Sequence, residues 1–199
     1  MAYPGQRAYF YALGQFIHAY AKAEAFVHFS FAVFSQIEQN MAMAIKGGMR
    51  ISDLMPLIRR IIALRKFAPA EQKEVDSIFT QLNLISEFRD RVVHRGADPQ
   101  PGNIFFSSNM ATMKSVELAE TYTFTLKDIR NATSDLQRIV LRVVCACHRI
   151  DAKIFFGKKK RQMFAPWRYK PLQPDNPHPQ HPSNAARLKR QLRASQRTL

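Results

Sequence analysis

LGQFIHAYAKAEAFVHFSFAVFSQIEQNM, residues 13–41, decides the class of fold. Leu13, Ile17, Tyr20, Val27, Phe31, Phe34 and Met41 follow one another at alternating steps of three and four, with Glu24 and Glu38 on the same line. That period belongs to a helix laying one face against other helices. The spacing predicts one helix from about Gly5 to Ile45, closed by Gly47 and Gly48, with Gly14 marking a bend or a later start. Phe16, Phe26 and Phe29 put apolar surface on further faces, as expected of a helix covered by neighbours or by a second copy of the chain.

Three more helices follow downstream. Ser52 reads as the N-cap of SDLMPLIRRIIALR, where Pro56 falls in the first turn and is tolerated. Pro69, with Glu71 and Glu74 close behind, opens a third helix that Gly96 closes. Thr125 and Asp128 form the two ends of a capping box, and the helix they start is expected to reach about Phe156. Between the third and fourth helices the period falls to two, at Ile104, Phe105 and Phe106 and again at Val116, Leu118, Tyr122 and Phe124. Alternation of this kind predicts a β-hairpin. The expected fold is all-α: a mainly antiparallel four-helix bundle with a small β-hairpin inserted before the last long helix.

Composition sets the class of partner. The chain has 199 residues, 46 % of them hydrophobic, enough for a real core. Thirty Lys and Arg face 15 Asp and Glu. Residues 158–199 hold 11 of those cations against Asp175 alone, and PLQPDNPHPQHP within them cannot continue a helix. The expected division is a helical domain over 1–157 and a basic, proline-rich tail over 158–199, flexible or packed on the surface. Lys158, Lys159, Lys160, Arg161, Trp167 and Arg168 combine cations with an aromatic ring and are the candidate nucleic-acid contacts. His18, Lys22, Glu24 and His28 interrupt the best apolar stretch, so no membrane span is expected. The N-terminus lacks a secretory pattern, and two cysteines suit a reducing, cytoplasmic setting.

Chemistry concentrates in LISEFRDRVVHRG, residues 84–96. Arg89 continues the apolar line of Val75, Ile78, Leu82 and Ile85, where an arginine must be paired or face a solvated cavity. Asp90 lies four residues before His94, close enough around the helix to fix its tautomer. Arg89 and His94 are five apart, about 140° around a regular helix, and so are not expected to touch. Glu24 breaks the first helix's stripe as Arg89 breaks the third's, which suggests that the two pair. The CACH run at 145–148 turns its sulfurs to opposite sides of a helix, so no metal and no cofactor is expected.

Arg89 with four residues before His94, late in a helix of an all-α order and in a basic chain, resembles the Rx4–6H motif of HEPN domains. Asparagine is frequent after the arginine in that family, and Asp90 stands there in this chain. The resemblance implies a metal-independent endoribonuclease, toxin- or defence-related, working on RNA as a homodimer with a composite site across the two-fold axis. It implies Arg89 on phosphate and His94 as acid or base; the spacing of the residues adds Asp90 to the catalytic group, and the broken stripe adds Glu24 as a supporting one. An antitoxin or other protein partner is compatible with it. The family also includes members that keep the fold without cutting RNA. The alternative is therefore a non-catalytic helical module that binds nucleic acid or protein with help from a basic tail.

Overall fold

The computed structural model describes residues 6–100, 104–109, 119–150, 157 and 160–175. It is mostly helical with one small antiparallel sheet. In chain order the elements are α1 (Gln6–Ser35), α2 (Gln39–Lys46), α3 (Ile51–Leu64), α4 (Pro69–His94), β1 (Asp98–Gln100), β2 (Ile104–Ser108), β3 (Thr121–Thr125), α5 (Leu126–His148) and a short α6 (Lys160–Met163). Helix α1 packs on α5 and α3, and α4 packs on the same two helices.

The buried face of α1 is Tyr9, Ala12, Phe16, Ala19, Tyr20, Ala23, Val27, Phe31 and Phe34. The stripe is thus rotated from the expected one at its start, leaving Leu13 half-buried and Ile17 36 % exposed. Small residues at 12, 19 and 23 bring α1 close to its neighbours, while Phe16 and Val27 are fully enclosed. Burying side chains of this size contributes about 1.5–3 kcal/mol each.

The helix expected to reach Ile45 is broken. Gln36 takes φ 54, the chain turns, and Glu38 starts α2 by accepting from the N–H groups of Asn40 and Met41 at 2.9 and 3.1 Å. Glu38 therefore caps a helix instead of lying on a core stripe. Helix α3 begins one residue before its expected cap, with Arg50 at the N-cap position. Ser52 instead sits inside the first turn, with its hydroxyl directed to Asp53. Pro56 is then the sixth helical residue, tolerated because the carbonyl it leaves without a donor belongs to exposed Ser52.

Helix α4 starts and stops as expected, with Gly96 at φ 70 just past its end. Helix α5 starts on the expected capping box: Asp128 Oδ2 accepts from the backbone N–H and the hydroxyl of Thr125, both at 2.8 Å. It ends at His148, short of the expected Phe156, where Arg149 takes the left-handed φ 48; residues 151–156 lie outside the described ones.

The sheet has three strands in the order β1-β2-β3, one more than a hairpin. Asp98 pairs with Phe106 and Gln100 with Ile104, while Phe105 faces Phe124 across the second pairing. Strand β1 holds three residues including Pro99, which is compatible only with an edge strand. Of the residues expected in the hairpin, Val116 and Leu118 lie outside the described ones. Phe105 and Phe124 turn inward and join a run of aromatic rings. Tyr9 stacks on Phe105 at 4.4 Å, Phe105 on Phe124 at 5.7 Å, Phe124 meets Phe88 edge-on at 5.4 Å, and Phe88 stacks on Tyr169 at 5.1 Å. Rings from α1, the sheet, α4 and the C-terminal segment thus form one core.

The last member of that run corrects the expected domain boundary. Residues 160–175 are not an appendage, since Tyr169 is 1 % exposed. The packed part of the protein continues to Asp175, whose N–H donates to the Thr121 carbonyl at 2.8 Å. Lys158, Lys159 and residues 176–199 lie outside the described residues.

Candidate functional site

Arg89, Asp90 and His94 occupy the last two turns of α4, just before the chain turns at Gly96 into β1. The 140° between Arg89 and His94 suggested that they would not meet. They do: Arg89 Nη1 lies 3.1 Å from His94 Nε2 and 2.7 Å from Asp90 Oδ1. The helix keeps its regular course, and the length of the arginine side chain closes the gap. The guanidinium also lies over the Tyr20 ring of α1, 5.4 Å from its centroid. Beneath it, the Tyr20 and Ser86 hydroxyls are 2.6 Å apart and tie α1 to α4.

Arginine has only donors, so in this contact His94 accepts through Nε2 and carries its proton on Nδ1. Arg89, and not Asp90, thus fixes the tautomer. Asp90 Oδ1 is 3.9 Å from the imidazole and makes its short bond to Arg89. That bond holds the guanidinium proton more firmly and raises the Arg89 pKa above its ordinary value. The site is open to water, with the Arg89, Asp90 and His94 side chains 34, 58 and 62 % exposed. The negative end of the α4 macrodipole lies here, so attraction for an anion comes from the arginines and not from the helix.

The expected Glu24–Arg89 pair does not form. Glu24 is half-buried on α1, one turn beyond Tyr20, and no ion pair within 4 Å joins it to Arg89. Its carboxylate reaches the guanidinium only through longer-range attraction. Arg89 is satisfied on its own helix, so α1 contributes the tyrosine ring in place of a carboxylate.

Arg91 leans toward Glu87, as expected of an i,i+4 pair, with 3.8 Å between them. It also lies 4.2 Å over the Tyr122 ring and leaves a buried Nη1 without a partner. Tyr122 donates to Glu120 at 2.5 Å, and burial together with that bond pushes its pKa up to about 12. The Tyr122 phenol therefore stays protonated at neutral pH.

Of the expected nucleic-acid contacts, Arg161 and Arg168 are exposed, while Trp167 is committed elsewhere. Its indole N–H donates to Ser77 at 3.1 Å, and the guanidinium groups of Arg142 and Arg138 lie 4.1 and 4.8 Å from its ring. The ring is half-buried and engaged by two guanidinium groups and Ser77, which makes it a poor platform for stacking on a base. The side chain of Lys160, like Lys158 and Lys159, lies outside what the structure describes.

Asp135 and Arg138, not singled out from the sequence, organise this region. Asp135 is fully buried and accepts from the N–H groups of Arg168 and Tyr169, both at 2.8 Å, from Gln81 at 3.1 Å and from Arg138 at 2.9 Å. Arg138 also donates to the carbonyls of Met163, Ala165 and Pro166. Arg142 holds Glu74 through two bonds of 2.6 and 2.7 Å. The sequence carried one signal, charged residues on the apolar face of α5, and it marks a packed segment and not a catalytic group.

A cavity of about 420 Å³ between α4, α5 and Phe164 is lined by Glu74, Arg142, Arg149 and Cys145, with its charges already paired. Cys145 and Cys147 are both free. Among the described residues, no three His, Cys, Asp or Glu side chains are placed to hold a metal ion, and no helix is long and apolar enough to cross a membrane. No protein-family model, curated protein or solved structure matches this chain.

Proposed function

We propose that this protein is a HEPN-like RNA-binding homodimer that cleaves RNA without a metal, with Arg89 and His94 in a site completed by a second copy. The supporting observation is the 3.1 Å contact between Arg89 and His94 on a solvent-open helix end. A phosphate arriving there takes donors from Arg89, a bidentate match for its oxygens. Nε2 of His94, released from Arg89, accepts the proton of a ribose 2′-OH. The 2′-oxygen then bonds to phosphorus, the bond to the 5′-oxygen breaks, and that oxygen needs a proton. His94 of the second copy, entering the step as the protonated imidazolium, supplies it and is left neutral.

Exposed apolar side chains around the site suit such pairing: Ile17 on α1 is 36 % exposed and Val93 on α4 is 41 % exposed. The mostly helical fold is compatible with this reading.

The test is RNA cleavage in EDTA by the wild type, His94→Ala and Arg89→Ala. Cleavage should survive EDTA and fall about 100-fold or more in each variant, the usual scale for losing an acid–base or charge-stabilising group. Equal cleavage by His94→Ala and wild type rejects this site.

One observation favours the non-catalytic alternative: Asp90 sits 2.7 Å from the guanidinium that must bind phosphate. In the catalytic case Asp90→Asn frees Arg89 and raises cleavage. RNA binding with no cleavage by either the wild type or Asp90→Asn points to a binding module.

A further inference from the structure

The segment 160–175 lies along α5 like a strap, held at three places. Arg138 takes the carbonyls of Met163 and Pro166 near one end, at 3.0 and 3.2 Å. Asp135 takes the N–H groups of Arg168 and Tyr169 in the middle. Asp175 closes the other end on β3, where Thr123 donates to its carboxylate at 2.7 Å. Those anchors fall at 138, then 135, then just before the first residue of α5, so the strap runs antiparallel to the helix.

Between its anchors burial alternates along the strap. Tyr169 turns into the core while Arg168 and Lys170 face solvent. Near the start of α5, the end toward which the strap runs, Lys127 and Arg130 are exposed. Arg161 on α6 is exposed as well. None of these five cations forms an ion pair among the described residues.

The nearby acids are occupied. Asp135 is buried against Arg138, Asp128 caps α5, Asp175 holds Thr123, and Glu74 holds Arg142. The result is a ridge on which five cations outnumber Asp128 and Asp175, the two nearby carboxylates without an ion pair among the described residues. The chain beyond Asp175 adds five more Lys and Arg and no acidic residue.

We propose that this ridge, Lys127 and Arg130 of α5 with Arg161, Arg168 and Lys170 of the strap, binds the phosphate backbone of RNA. It rests on the RNA-binding function proposed above and assigns that function a location. Because Trp167 is half-buried and already engaged by Ser77, Arg138 and Arg142, the grip is on phosphates and not on bases, which makes it insensitive to sequence and sensitive to salt. A lipid surface is a poorer match, since among the described residues Phe164 is the single large exposed apolar side chain on α5 and the strap.

The test uses the full-length chain carrying Lys127→Gln, Arg130→Gln, Arg168→Gln and Lys170→Gln together, titrated with a labelled single-stranded RNA over a range of salt. All four side chains are exposed, and the Arg168 bond to Asp135 comes from its backbone, so the fold and the Trp167 emission should be unchanged. Affinity should fall at least tenfold. The slope of log K against log salt should shrink by about 0.7 for each phosphate that the variant no longer neutralises.

Wild-type affinity and slope in the quadruple variant overturn the ridge while leaving RNA binding intact. A wild type that binds no RNA overturns both the ridge and the RNA-binding function. Binding only to vesicles containing anionic lipid, abolished in the same variant, assigns the ridge to a membrane surface and overturns the proposal.

Discussion

Tyr169 is stacked on Phe88 in the middle of the core, yet among the described residues its hydroxyl makes no well-formed hydrogen bond, with only the Leu172 backbone approaching it. Burial raises its pKa above the ordinary tyrosine value, so the hydroxyl stays protonated and its desolvation is not offset. The ring and the hydroxyl therefore act in opposite directions. Tyr169→Phe should leave stability unchanged or raise it by up to about 1 kcal/mol, because an unpaired buried hydroxyl is costly. Tyr169→Ala should lose about 3–5 kcal/mol, the usual result of emptying an aromatic site. Denaturant unfolding of both variants checks this. A loss above about 1 kcal/mol in Tyr169→Phe would mean that the hydroxyl has a partner, such as a water shared with the orphan Arg91 Nη1. None of this was legible in WRYK, where a tyrosine between two cations resembles surface. The Arg89–His94 contact was half legible: the residue types stood out, but angular spacing alone ignored the reach of an arginine.

Helix ends show the same limit at the next scale. Helices α3, α4 and α5 are each followed by a residue at positive φ, at Lys66, Gly96 and Arg149. Only the glycine announces itself in a sequence, because only glycine takes that conformation without cost. Lys66 N–H donates to the Ala63 carbonyl and Phe67 N–H to that of Ile62, at 3.1 and 3.3 Å, the paired bonds that close a helix on a left-handed residue. Arg149 and Ile150 close α5 in the same way on Ala146 and Cys145. The misplaced end of α5 follows from this. Lys66 is exposed and strained by its conformation at roughly 1–2 kcal/mol, partly offset by the greater freedom that glycine has when unfolded. Lys66→Gly should therefore stabilise by about 0.5–1 kcal/mol and raise Tm by roughly 1–3 °C. A lower Tm in a thermal melt would show that the lysine side chain makes a contact worth more than that strain.

At the scale of the whole molecule, the strap decides where the protein stops being optional. Deleting residues 158–199 removes Tyr169 and Trp167, uncovers Phe88 and strips Arg138 and Asp135 of their backbone partners. The missing aromatic packing and the unpaired buried groups each cost about 3–5 kcal/mol, against a total stability of about 5–15 kcal/mol for a typical domain. The truncated chain should lose its cooperative thermal transition by circular dichroism, while a chain ending at Asp175 should keep it. A cooperative melt near the wild-type Tm after the larger deletion would make the strap an ornament. RNA binding is therefore better tested with substitutions on the ridge than with loss of the segment.

The amino-acid sequence by itself determined the helical class, the start of α4, the capping box of α5 and the presence of inward strands at Phe105 and Phe124. Each rests on signals local in the chain: a period, a cap or a turn residue. Only the tertiary structure decided the third strand, the break at Gln36, the burial of Tyr169 and the meeting of Arg89 with His94. The first needs partners across the sheet for three residues that contain a proline. The second and third depend on packing between elements remote in sequence. The last depends on how far a flexible side chain can reach. A basic, proline-rich segment became part of the core because Asp135 and Arg138, on a helix some thirty residues earlier, supply the charges that its backbone needs.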